Sequence, residues 1–289
     1  MTRVAGFSDA VLDGPDGTIA YSIGGDGPAL MLLHGFPQTR AMWAAVAPAL
    51  ARDHTVICPD LRGYGASHKP DTVEGMSFRA MGADALALMT HLGFETFALA
   101  GHDRGGRTAH RMALDAAGRI TRLCLMDIVP THTLLTELSK DVAKSYYHWF
   151  FLAQPSPFPE TLILTDPDAY FQSCLLGWGG STLAQFNAEQ LAAYRAAWRD
   201  PDTVRAMCHD YRAGISVDFD DDAADLGARI TCPTLVLWGA DGVMARAYDV
   251  AATWDAKCTD MTAMALPGGH FFVDTHPDDT TQTLRAFFG

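Results

Sequence analysis

The hydrophobic pattern changes character twice along the chain. From Ala29 to Leu33 five apolar residues follow one another without a polar break. Residues 55–58, 97–100, 122–126, 234–238 and 264–266 are similarly short and dense. Such runs predict strands buried on both faces, as in a parallel sheet. Between them the period lengthens. Residues 77–92 carry apolar positions at helical spacing, with Ser77 as N-cap and Gly93 past the end. Residues 42–50, 108–117 and 280–288 also suit helices. Residues 9–23 predict a hairpin around the turn-rich Asp13-Gly14-Pro15-Asp16-Gly17.

The second change comes at Ile128. Residues 131–213 are aromatic and helically spaced, without a convincing buried strand, and strand patterning resumes at Thr234. Tyr146-Tyr147-His148-Trp149-Phe150-Phe151 lies here, as does Leu175-Leu176-Gly177-Trp178. The expected fold is α/β, a mostly parallel, doubly wound sheet. Residues 1–130 and 214–289 form the core, and 131–213 an inserted helical cap. Ligands in such sheets meet the carboxyl ends of the strands. The Phe36 loop, Asp103, Asp127, Asp241 and His270 all fall at such ends.

Composition narrows the partners. The 289 residues carry a formal net charge of −13, which argues against non-specific nucleic-acid binding. No apolar run approaches a membrane span. Six scattered cysteines without a CxxC read as reduced thiols and point to the cytoplasm. The histidines show no metal-ligand spacing. The Gly-rich stretch from Asp60 to Ser67 lacks the Lys-Ser/Thr ending of a phosphate loop.

The chemistry centres on Gly101-His102-Asp103-Arg104-Gly105-Gly106-Arg107. Strand, Gly-x-nucleophile-x-Gly and helix is the layout of a nucleophile elbow. An aspartate at its centre would attack an alkyl carbon bearing a leaving group and form an ester of the protein. Arg104 and Arg107, three apart, share a helix face and suit a substrate carboxylate. The residue types alone also allow Arg107 to pair with a structural acid on the cap. They give Arg111 a structural or solvated role, and they leave both Asp127 and Asp241 able to orient His270.

With His34-Gly35-Phe36-Pro37-Gln38, Met126-Asp127-Ile128-Val129-Pro130, His148-Trp149, Asp210-Tyr211-Arg212-Ala213-Gly214 and Gly269-His270-Phe271-Phe272-Val273-Asp274, the elbow resembles the α/β-hydrolases of the fluoroacetate (haloacetate) dehalogenase type. The resemblance implies Asp103 as nucleophile, His270 as the base that activates water, and Asp127 as the acid that orients it. It implies Arg104 and Arg107 as a carboxylate clamp, and His148, Trp149 and Tyr211 as halide donors. The backbone N–H groups of Phe36 and Arg104 would form the oxyanion hole. The implied reaction turns a small anionic haloacid, fluoroacetate foremost, into glycolate and halide without cofactor or metal, in a homodimer. An epoxide hydrolase would share Asp103 and His270 and use Tyr211 with Tyr146 or Tyr147 as acids. Two arginines beside the nucleophile suit a neutral epoxide poorly. A haloalkane dehalogenase commonly has Trp where Arg104 stands. A non-catalytic ligand sensor would not need nucleophile, base and acid together.

Overall fold

The computed structural model describes residues 4–14, 16–177 and 181–289; Pro15 and Trp178 lie outside the described residues. The N-terminal hairpin pairs β1 (Ser8–Gly14) with β2 (Gly17–Gly24), Ser8 opposite Ile23. β3 (Ala29–Leu33), β4 (Thr55–Pro59), β5 (Phe97–His102) and β6 (Ile120–Met126) follow, then β7 (Thr234–Gly239) and β8 (Met261–Leu266). Among the described residues they form one eight-stranded sheet in the order β1-β2-β4-β3-β5-β6-β7-β8. The β2–β4 pair is antiparallel, and every pair from β4 to β8 is parallel. The unbroken apolar runs are the central strands: Leu30, Met31, Leu32 and Leu33 are fully buried. Helices cover both faces, which is why these strands need no polar side.

α1 (Ala47–Leu50), α2 (Phe78–His91) and α3 (Arg104–Asp115) lie in the three connections from β3 to β6. Ser77 caps α2 by accepting from Ala80 N at 3.3 Å. Gly93 takes φ +82° just past the helix end, a conformation glycine adopts freely. The expected helix over 42–50 is instead a 3₁₀ turn, Arg40–Ala45, followed by α1. Pro48 explains the break. It lacks the N–H a continuous helix needs, and it sits in the first turn of α1, where none is required.

Between β6 and β7 every described element is helical. These are α4 (Thr131–Thr136), α5 (Lys140–Ser145), α6 (Tyr147–Leu152), α7 (Phe158–Ile163) and α8 (Pro167–Gly177). α9 (Ala188–Trp198), α10 (Pro201–Gly214) and α11 (Val217–Ala224) complete the run. Buried polar ties hold this layer to the strand layer. Gln190 Nε2 on α9 donates to the carbonyls of Ala41 and Met42 at 2.9 and 3.0 Å. α12 (Val243–Ala247), α13 (Val250–Asp255), α14 (Phe272–Thr275) and α15 (Pro277–Phe288) complete the chain. No helix among the described residues is long and apolar enough to cross a membrane. The six cysteines are free thiols, and all but Cys232 are buried.

Candidate active site

Asp103 joins β5 directly to α3 and adopts φ +49°, ψ −114°. For a non-glycine residue such a backbone costs about 1–3 kcal/mol and persists only where its surroundings enforce it. The strain therefore sits on the candidate nucleophile and not on the glycines around it. Those glycines serve close approach instead. A Cβ on Gly101 would stand 2.2 Å from the Gly105 carbonyl oxygen, and one on Gly105 would stand 2.4 Å from that of His34. The Phe36 N–H donates to Asp103 Oδ2 at 3.0 Å. One carboxylate oxygen is thus held by the Phe36 amide.

Asp127 ends β6 with a similar positive φ of 51°. Its backbone N–H donates to the Leu237 carbonyl at 2.8 Å, and its Oδ1 accepts from Gly239 N at 2.9 Å. Oδ2 lies 2.5 Å from His270 Nδ1. A carboxylate at that distance places the imidazole proton on Nδ1 and leaves Nε2 basic. Asp241 is solvent-exposed; its N–H donates to the Gly268 carbonyl at 2.9 Å. Of the two strand-end aspartates, it is Asp127 that meets His270. His102 also steadies that loop, its Nε2 lying 2.7 Å from the His270 carbonyl oxygen.

Burial works against charge on Asp103, yet His270, His102, Arg104 and Arg107 more than offset it and hold the carboxyl below its ordinary range. The Asp103 carboxyl is therefore ionised although it is buried. Burial likewise opposes charge on His270, but the hydrogen bond and charge of Asp127, with Asp103 adding to them, lift its pKa above the usual imidazole value.

Both arginines are buried, and they are held differently. Arg104 donates Nε to both carboxylate oxygens of Asp210 at 3.0 Å, and Nη2 to the Asp210 carbonyl at 2.8 Å and to its Oδ1. Its guanidinium carbon lies 4.4 Å from the Tyr211 ring centroid, 4.5 Å from that of Phe78 and 4.9 Å from that of Trp149. Arg107 Nη1 donates to neutral acceptors, the Val129 carbonyl and Thr131 Oγ1, each at 3.0 Å. Its guanidinium also lies over Trp149, at 4.9 Å. Burial pushes Arg107 down to about 10, and it remains a cation at neutral pH. An acid on α10 does engage one of the pair, but it takes Arg104 rather than Arg107. Arg111 pairs with Asp115 and Asp225 at 2.6 and 2.7 Å and is structural.

His148 and Trp149 on α6 and Tyr211 on α10 are buried and mutually packed. Ring centroids lie 5.3 Å apart for His148–Tyr211 and 5.3 Å for Trp149–Tyr211. Phe36 joins the group at 5.0 Å from Tyr211 and 5.8 Å from His148. Burial pushes His148 well below the usual imidazole value, so the ring is neutral. The Tyr211 hydroxyl is buried with no partner among the described residues. Because Phe36 also holds Asp103, the three donors and the carboxylate share one apolar wall. The structure brings Asp103 to the Phe36 amide, Asp127 to His270, and Arg104 and Arg107 to the Trp149 ring, whereas Asp241 stays apart at the surface. Sequence reasoning missed Asp210 and its second partner, Tyr64, whose hydroxyl donates to Asp210 Oδ2 at 2.5 Å. The available signal was an acid directly before Tyr211 in a segment already noted.

A family model described as the α/β hydrolase fold matches residues 28–277. The chain is 50% identical over 285 residues to a fluoroacetate dehalogenase from Burkholderia sp., covering 98% of this chain and 94% of that protein. It is 32% identical over 272 residues to a soluble epoxide hydrolase from Corynebacterium sp. (strain C12), covering 93% and 92%. Among solved structures, ALR0039 from Nostoc sp. PCC 7120, an α/β-hydrolase candidate, superposes with a TM-score of 0.97 at 41% identity over 99% of each chain. Matched along most of its length, this chain belongs to the α/β-hydrolase family and, at half identity, to its fluoroacetate dehalogenase group.

Proposed function

We propose that the protein hydrolyses 2-haloacetates, fluoroacetate foremost, through an ester on Asp103. The observation that carries this reading is an ionised elbow aspartate facing two buried arginines. A carboxylate nucleophile specifies the bond broken, and a pair of buried cations specifies that the substrate is an anion. The 50% identical fluoroacetate dehalogenase supports the same chemistry.

In the first step Asp103 Oδ1 displaces halide from the substrate carbon. Oδ2, on the Phe36 N–H, becomes the ester carbonyl oxygen. Arg104 and Arg107 hold the substrate carboxylate in line for rear-side attack. Halide leaves toward His148, Trp149 and Tyr211, whose donors replace its lost hydration. In the second step His270 takes a proton from water, and the hydroxide adds to the ester carbonyl carbon. The oxyanion rests on the backbone N–H groups of Phe36 and Arg104. Collapse expels glycolate, which takes the proton back from His270, and Asp103 loses its own proton to solvent. Residues 131–213 act as a cap over a core of 1–130 and 214–289.

Halide release from fluoroacetate, chloroacetate, a neutral haloalkane and an epoxide, assayed side by side with diol formation, tests the proposal. Turnover of the haloacids is expected. Turnover of the epoxide alone would replace this reading with epoxide hydrolysis, for which the unpartnered Tyr211 hydroxyl would be the acid. The same reading takes the working form as a cytoplasmic homodimer. The exposed Phe158 and Leu162 on α7, with the free thiols, support it; light scattering checks the mass.

A further inference from the structure

The Arg104 guanidinium has five N–H donors. Three are committed to Asp210: Nε–H to its carboxylate, and the two of Nη2 to Oδ1 and to the backbone carbonyl. The two on Nη1 are buried with no acceptor among the described residues. Stacking between Tyr211, Trp149 and Phe78 fixes the plane of the group. Asp210 is itself fully buried, and its Oδ2 is anchored by the Tyr64 hydroxyl at 2.5 Å. Tyr64 follows β4 in the strand layer, whereas Asp210 belongs to cap helix α10. Arg107 also stacks on Trp149 but is held differently. Its anchors are neutral, and its Nε is buried without an acceptor among the described residues.

We propose that Asp210, held by Tyr64, is a positioning residue for substrate: it turns Arg104 so that only its Nη1 edge meets the substrate carboxylate, and it leaves Arg107 to supply the net charge. Arg104 with Asp210 is locally neutral and contributes direction. Arg107 Nη1 is hydrogen-bonded to neutral acceptors and not to a carboxylate, so it keeps its charge and contributes attraction. A buried, bidentate acid on one arginine of a pair has this consequence because hydrogen bonds to a fixed planar group are directional while a point charge is not. Since Asp210 comes from the cap, the clamp exists in working form only when cap and strand layer are docked.

The inference rests on the proposed haloacetate reaction but can be read apart from it. The protein itself is titrated calorimetrically with acetate, which has the carboxylate and no leaving group. Failure of the unaltered protein to release halide from any haloacid would sink the reaction while leaving acetate binding measurable. Asp210→Asn keeps the size and removes the charge; Tyr64→Phe removes only the anchor. Expected are an acetate Kd and a chloroacetate KM raised about tenfold or more in Asp210→Asn, and about threefold in Tyr64→Phe. Competitive inhibition by chloride, which reports on the halide donors, should stay within twofold in both. Arg107→Lys should weaken acetate more than Arg104→Lys. Where Asp210→Asn does not fold, Tyr64→Phe decides. Acetate affinity unchanged in the folded variants, or acetate and chloride binding lost in equal measure, would overturn the proposal.

Discussion

The strand ends and the helices between β6 and β7 hold their side chains by different means. Asp103 and Asp127 each accept a backbone N–H, from Phe36 and Gly239, and each occupies a strained positive φ at the end of a strand. Directional hydrogen bonds from the sheet fix these oxygens. On α6 and α10, His148, Trp149 and Tyr211 are located by packed rings with centroids 5.3 Å apart. Ring packing fixes a surface more than an angle. The difference suits the two tasks of the proposed reaction. Bond formation tolerates little misplacement, whereas a departing halide needs only a dry wall with several donors.

Replacing a strand-end group should therefore abolish a step, and replacing a cap group should grade it. The largest loss is expected for Asp103→Asn, about 10⁴-fold or more in turnover. Asparagine tolerates the positive φ, so the circular dichroism spectrum and melting point should hold. Residual turnover within tenfold of the parent would remove Asp103 from the chemistry. Next comes Asp127→Asn. One equivalent of halide should appear quickly, after which turnover slows about 10²–10⁴-fold. Intact-protein mass spectrometry should then find the ester on Asp103. Normal turnover in this variant, with loss in Asp241→Asn, would reverse the assignment.

Tyr211→Phe should cost about 10–10²-fold with fluoroacetate and less with chloroacetate, because fluoride loses the stronger hydration. Equal losses with both halides would mean the hydroxyl is not a halide donor. The smallest effect concerns Asp274, which ties the two regions. Its carboxylate accepts from Gln38 Nε2 at 2.5 Å beside the Phe36 loop, and from Tyr194 OH at 2.7 Å on α9. Burial pushes this carboxyl up to about 7 despite both donors. Its folded pKa thus lies above the unfolded value of 3.8, so its stabilising contribution is full below about pH 4 and is lost as pH rises through 7. The melting point of the parent, relative to Asp274→Asn, should rise by a few degrees between pH 8 and pH 5. Parallel curves for the two proteins would show that Asp274 does not titrate there.

The same contrast explains what the sequence made legible. Strand-end residues are announced by local grammar, an apolar run and then a turn residue, so Asp103, Asp127 and His270 could be placed by reading along the chain. Grammar of this kind could not separate Asp127 from Asp241, since both follow core strands; only the Gly239 amide and the His270 ring distinguish them in space. The cap offered less. A His-Trp pair in an aromatic helix looks the same whether it lines a cavity or fills one, and resemblance supplied the difference. Asp210 stood in a noted segment, but its pairing could not be read because its partners, Arg104 and Tyr64, lie 106 and 146 residues away. The 3₁₀ turn before α1 was readable in principle from Pro48.

One consequence follows from the proximity of Asp103 to His270. Part of what raises the proton affinity of His270 is the charge on Asp103. In the proposed reaction that charge disappears when the ester forms. The imidazole then gives up its proton more readily, at the moment when a base is wanted. In the resting site the same histidine keeps a proton more readily and is less available to take one from water. The two half-reactions are thereby interlocked: completing the first releases the second, and charge keeps the sequence without any moving part.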